Sequence, residues 1–150
     1  MSTGSFAMAA GSFTPLHADR AVRGRAEWRL RLDPRIRKVD GLMQRNLHLK
    51  LGLREMAAAI ALSPSRFSHL FKAQTGVSPA QYLKSLRLEK ARDLLGGSHL
   101  SIKEVAAQVG LEPNRFCRNF RGVYGVTPLQ HRLAVSSGAR DDPGNDSTRA

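Results

Sequence analysis

LREMAAAIALSPSRFSHLFKAQTGVSPAQYL, residues 53–83, and IKEVAAQVGLEPNRFCRNFRGVYGVTPLQHR, residues 102–132, align without a gap at a constant offset of 49. The identical pairs are Glu55/Glu104, Ala57/Ala106, Ala58/Ala107, Leu62/Leu111, Pro64/Pro113, Arg66/Arg115, Phe67/Phe116, Phe71/Phe120, Gly76/Gly125, Val77/Val126, Pro79/Pro128 and Gln81/Gln130. Two copies are too few for a solenoid, so the pattern is one supersecondary unit used twice. Each copy reads as a short helix containing Ala-Ala, a break at Ala61-Leu62-Ser63 or Gly110-Leu111-Glu112, and a second helix ending at Gly76 or Gly125. A small-faced first helix lets the second pack closely across it, and a three- to four-residue break sets a steep crossing angle. That combination is a helix-turn-helix.

Working outward, Ser63-Pro64 caps the second helix of the first unit, and Ser101 with Glu104 forms a capping box for the opening helix of the second. Glu112 replaces the serine in the second unit and is a poorer cap, although its charge suits a helix N-terminus. Between the units, Pro79 to Leu95 reads as one helix with Leu83, Leu86, Ala91, Leu94 and Leu95 inward, stopped by Gly96-Gly97. Such a helix, roughly 25 Å long at 1.5 Å per residue, is a rigid spacer of a size to hold two helices about one DNA turn apart. Ahead of the repeat, Asp33-Pro34 is a cap followed by proline at the first helical position. Ile36, Val39, Met43 and Leu47 mark one face of a helix ending near Leu49. The fold class is therefore all-α: about seven helices, two helix-turn-helix units and a linker helix over residues 33–135. Residues 1–32 form a flexible, Arg-containing N-terminal segment and residues 136–150 a polar, disordered tail.

The formal charge of +12 points to a polyanion: DNA, RNA or an acidic membrane surface. Residues 33–135 hold 17 Lys/Arg against 7 Asp/Glu, so most of the excess sits on the part with helical periodicity. A single cysteine, Cys117, excludes a disulfide framework. No apolar run approaches the roughly 18 residues of a membrane span, and no secretory leader pattern opens the chain. A cytoplasmic location is expected. His17, His48, His99 and His131 show no metal-ligand spacing, and no nucleophile, base or metal constellation stands out, so neither a cofactor nor an enzyme activity is expected.

On a helical wheel, Phe67, Leu70, Phe71 and Gln74 share one side, while Ser65, Ser68, His69 and Lys72 fall within about 100° on the other. The second unit repeats the arrangement: Phe116, Phe120 and Val123 face inward, Asn114, Cys117, Arg118 and Arg121 outward, with Arg66 and Arg115 on the flanks. The phenylalanine stripe is core at helical spacing. Hydroxyl, amide, imidazole and guanidinium groups on an exposed helix are what base edges require, and longer Lys and Arg at the rim suit phosphates. Cys117 reads as a small residue against a groove rather than as a redox sensor.

The paired units, the DPRI opening, SPSRFSHLFK followed by TGVSPAQYLKSLRLEKARDLL, then SIKEVAAQVG and RFCRNFRGVYGVTPLQHR, resemble the DNA-binding region of AraC/XylS-type bacterial transcription regulators. The resemblance spans about residues 33–133. It implies that each second helix enters a major groove of double-stranded DNA and that the protein acts as an activator touching RNA polymerase. It also implies that the base-facing places are Ser65, Ser68 and His69 in the first unit and Asn114, Cys117 and Arg118 in the second. Three positions depart from the pattern: Leu111 where an aromatic is usual, Glu112 near the phosphates, and His131 in place of tyrosine before Arg132. Larger members carry an effector-binding or dimerisation domain ahead of this region. The 32 preceding residues are too few for one, so the chain reads as a stand-alone member or the orphaned DNA-binding end of a longer regulator. A nonspecific basic nucleic-acid binder remains the alternative, since charge alone accounts for that.

Overall fold

The computed structural model describes residues 30–138. Seven helices follow in order: α1 (Pro34–Arg45), α2 (Leu53–Ala58), α3 (Pro64–Thr75), α4 (Pro79–Gly97), α5 (Ile102–Gln108), α6 (Pro113–Tyr124) and α7 (Pro128–Gly138). There is no strand among the described residues, as the periodicity predicts. Most of the two end segments lies outside the described residues. At their margins, Leu32 is already buried and α7 continues to Gly138, three residues into the stretch read as tail.

The punctuation of the repeat explains four of its twelve identities. Pro64, Pro79, Pro113 and Pro128 open helices, where a missing N–H costs nothing. Gly76 and Gly125 end α3 and α6 in the left-handed region, at φ 80° and 74°, each donating its N–H to the carbonyl of Lys72 or Arg121. The Gln81/Gln130 identity is a pair of reciprocal caps. Gln81 Oε1 accepts from the Ser78 N–H while Ser78 Oγ accepts from the Gln81 N–H, and Gln130 and Thr127 repeat the exchange. Ser101 and Glu104 do the same at α5. The backbone hydrogen bond holds the Glu104 carboxyl below its ordinary pKa.

Two hydrophobic cores form instead of one. The first gathers Ile36, Val39 and Met43 of α1, Met56, Ala57 and Ile60 from α2 and the turn after it, Phe67 and Phe71 of α3, and Leu83 and Leu86 of α4. The second gathers Leu88, Ala91 and Leu95 of α4, Val105, Ala106 and Val109 from α5 and its end, and Phe116 and Phe120 of α6. Helix α4 serves both, and its buried stripe steps at Arg87, between Leu86 and Leu88. Leu94, expected inward, packs only partly buried against the second core, and Leu88 takes the deeper position.

Helix α1 stops at Arg45, four residues short of the expected end near Leu49. Asn46 turns the chain, its amide donating to the Leu42 carbonyl at 2.9 Å. Beyond it, the Leu47 and Leu49 carbonyls accept from the Arg87 guanidinium at 3.0 and 2.7 Å. Asn46 has left helical geometry at φ -125° and ψ 34°, and the carbonyls beyond it turn to a tertiary contact.

Candidate nucleic-acid interface

Helices α3 and α6 carry the candidate contact residues. The buried rings Phe67 and Phe71 meet edge to face at 5.5 Å, and Phe116 and Phe120 repeat the geometry at 5.7 Å. With these rings fixing the rotation of each helix, Ser65, Arg66, His69 and Lys72 are exposed on α3, and Asn114, Arg115, Arg118 and Arg121 on α6. Ser68 is half-buried. Cys117 is half-buried too and packs against the second core, so its thiol sits at the margin of the outward face.

Short helices α2 and α5 hold α3 and α6 across a turn in which Ala61 and Gly110 have φ of 53° and 70°. Ala57 and Ala106 are buried at the crossing, where their small side chains permit close approach; Ala58 and Ala107 point to solvent. Ser63 Oγ accepts from the Arg66 N–H at 3.3 Å, whereas Glu112 makes no side-chain cap bond. Both faces are cationic toward their ends: Lys72 and Arg121 lie in the last turns of their helices, where positive charge also favours the helix dipole.

One residue joins the site from outside the repeat. Arg35 of α1, with Arg66, His69, Leu62 and Leu70, lines an open cleft of about 470 Å³ beside α3. Asp33 orients the guanidinium by accepting from Nε at 3.1 Å and Nη2 at 2.9 Å. The Arg35 partner holds the Asp33 carboxyl below its ordinary range. Sequence reasoning assigned Arg35 no role because α1 has no counterpart in the aligned copies; only its place in the opening DPRI hinted at it. Among the described residues no group of three His, Cys, Asp or Glu is placed to hold a metal ion, and no helix is long and apolar enough to cross a membrane.

Two exposed, cationic helices on paired helix-turn-helix units joined by a shared helix define a class of DNA-binding domain. A family model described as a helix-turn-helix domain matches residues 56–134, more than half of the chain. The chain belongs to this family, in its AraC-type form. It is similar to the C-terminal domain of AraT, a response regulator from Geobacillus stearothermophilus, with 32% identity, a TM-score of 0.67, and 69% of this chain and 88% of that one covered. It is also similar to the DNA-binding domain of AdpA, a global transcriptional factor solved in complex with a target DNA. That match has 27% identity, a TM-score of 0.69, and coverage of 73% of this chain and 99% of that one. A curated relative, the probable transcriptional regulator LumQ of Photobacterium leiognathi, is 33% identical over 57 residues, 38% of this chain. The chain's matched part spans 23% of that relative's length.

Proposed function

We propose that the protein is a sequence-specific transcription regulator that places α3 and α6 in successive major grooves of one duplex. The carrying observation is that both units expose hydrogen-bonding and cationic side chains while sharing α4 as a common spacer. Base reading falls to Ser65, Ser68 and His69 on α3 and to Asn114, Cys117 and Arg118 on α6. Arg66, Lys72, Arg115 and Arg121 hold phosphates. One chain then covers an asymmetric site of about 20 base pairs without dimerising, because it already holds the two recognition units that most helix-turn-helix proteins obtain by pairing. Activation through contact with RNA polymerase is the regulatory reading that the family supports, and the target DNA bound by the similar AdpA domain supports duplex as the ligand. The role is that of a binding protein, not an enzyme.

Selection of bound fragments from genomic DNA, followed by titration against the selected duplex, random duplex and RNA, tests this reading. The selected duplex should bind at least about a thousandfold more tightly than random duplex at physiological salt. Equal affinity for all three would instead establish a nonspecific polyanion binder.

A further inference from the structure

We infer that the loop between α1 and α2, residues 46–52, is the joint that fixes the two units against each other, and that Arg87 is the positioning residue that holds it. This rests on the reading of one chain spanning two half-sites. Arg87 stands where α4 passes from the first core to the second, between Leu86 and Leu88. From there its Nε–H donates to the Leu47 carbonyl at 3.0 Å and Nη2 to the Leu49 carbonyl at 2.7 Å. The side chain is half-buried, and burial lowers its pKa, so these bonds form in a partly desolvated setting where a charged donor is worth more.

The same loop touches the second unit. A Cβ on Gly110, in the turn between α5 and α6, would lie 2.5 Å from the Leu47 carbonyl oxygen and 3.1 Å from His48 Cα. Both neighbours are backbone and cannot swing aside as a side-chain tip could. The left-handed turn does not itself demand glycine, because the equivalent turn of the first unit carries Ala61 at φ 53°. Close approach of the loop is what excludes a side chain at 110. One loop is therefore held by the linker and seated on the turn that precedes α6. If it loosens, each unit keeps its own core while its roll about α4 becomes less determined.

On DNA such roll reads directly as spacing. One base pair moves a half-site by about 3.4 Å and turns it by about 35°, given about 10–10.5 base pairs in each 34–36 Å turn. A fixed pair of helices should therefore discriminate sharply between spacings. The experiment measures affinity of the full chain for the selected duplex with its half-site spacing changed by one base pair either way. Isolated half-sites and amide exchange at residues 46–52 are measured alongside. Wild type should lose about tenfold or more for either change, because both half-sites can no longer be engaged at once. Arg87→Gln should bind the preferred spacing about tenfold more weakly, hold the altered spacings within about threefold of it, and bind isolated half-sites like wild type. Exchange at residues 49–51 should speed up. Gly110→Ala should move the profile the same way. Gly125→Ala, whose added Cβ meets nothing within 4 Å, imposes the left-handed strain alone and should keep the wild-type profile. A folded Arg87→Gln variant with wild-type spacing discrimination and unchanged loop exchange overturns the inference. Should that variant fold poorly, identical profiles for Gly110→Ala and Gly125→Ala overturn it instead. A wild type indifferent to spacing removes the two-half-site reading, and loop exchange in Arg87→Gln then decides whether the joint exists.

Discussion

Beneath the second phenylalanine of each unit the two copies part ways. In the first, the Tyr82 ring meets Phe71 edge to face at 5.3 Å, and its hydroxyl donates to Asp40 Oδ1 at 2.7 Å. In the second, the equivalent position is His131, whose ring meets Phe120 edge to face at 5.6 Å, with the Tyr124 ring tilted against Phe120 at 4.6 Å. The helix beneath each unit carries its core residues at the same spacing: Ile36, Val39 and Met43 on α1, and Leu88, Ala91 and Leu95 on α4. On that register Asp40 corresponds to Arg92. Unit one therefore places an acid, 3% exposed, below a phenol, and unit two places a cation below an imidazole, with the Arg92 guanidinium 5.5 Å over the Tyr124 ring. The same backbone unit tolerates opposite polar chemistry at its edge because the paired phenylalanines carry the packing.

If the units are separate packing bodies, the largest effects should stay local. Phe120→Ala removes a fully buried ring and should cost about 3–5 kcal/mol. Hydrogen exchange should lose protection across residues 102–124 and keep it across 34–75; Phe71→Ala should give the mirror image. Collapse of both halves in either variant would mean that α4 couples the cores into one cooperative unit. Next in size is the polar edge of unit one. Tyr82→Phe takes a donor from the buried Asp40 carboxylate, which also accepts from Gln44 at 2.9 Å, and should cost about 1.5–3 kcal/mol by denaturant titration.

Read as DNA contacts, the outward faces divide the labour differently. Arg118 offers a guanidinium fork suited to guanine, while Ser65, Ser68 and His69 offer shorter groups with fewer fixed donors. Arg118→Ala should cost about 1–3 kcal/mol on the preferred site and relax choice at one base pair, with the half-site of unit one tolerating more changes throughout. Lys72→Ala or Arg121→Ala should weaken all sequences alike and reduce the slope of log affinity against log salt by about 0.9. A binding scan over every single-base variant separates the two behaviours. A uniform loss from Arg118→Ala, with altered preference from Lys72→Ala, would reverse the assignment.

Smaller still is the difference in caps. Ser63→Ala should destabilise unit one by about 1 kcal/mol, and Glu112→Ser, which supplies a missing side-chain acceptor, should stabilise unit two by about 0.5–1 kcal/mol. No thermal shift from Glu112→Ser, beside a clear loss from Ser63→Ala, would show that the charge of Glu112 already stabilises the helix start as well as a cap.

Caps and breaks were legible in the sequence because each rests on a single residue's chemistry: the Asp33, Ser63 and Ser101 acceptors, the prolines that open helices, and Gly76 and Gly125 past their ends. The exposed positions of α3 and α6 followed from helical spacing once the phenylalanines were placed inside. What escaped was whatever joins distant segments. Asp40 and Tyr82 are 42 residues apart, and Arg87 reaches a carbonyl 40 residues earlier. Neither pairing leaves a mark on local periodicity. The early end of α1 belongs with them: Leu47 continues the apolar stripe, yet Asn46 has already left helical geometry and the Leu47 carbonyl meets Arg87 from 40 residues away. Cys117 shows the limit on the site itself: a wheel drawn around one helix places it outward, whereas packing of the neighbouring elements half covers it.

The smallest expected effect separates the units by pH. Burial, aided by the nearby charge of Arg92, holds the His131 pKa below the ordinary 6.5. The unfolded chain thus takes up a proton at a pH where the folded unit resists one. Above about 6.5 both states are neutral at this position and its contribution to stability is complete. As pH falls through 6.5 toward the lowered folded value, the unfolded state gains protons first and unit two weakens. Tyr82 stands at the same place in unit one, so that unit has no imidazole there to take up a proton and no such loss from this position. Exchange protection of residues 113–124, followed from pH 7.5 to 5.5 in wild type and in His131→Phe, reads the difference. Wild type should lose protection on acidification and His131→Phe should lose less, with residues 64–75 responding alike in both. Equal pH slopes for residues 113–124 in the two proteins would mean that the imidazole is not what makes the second unit acid-sensitive.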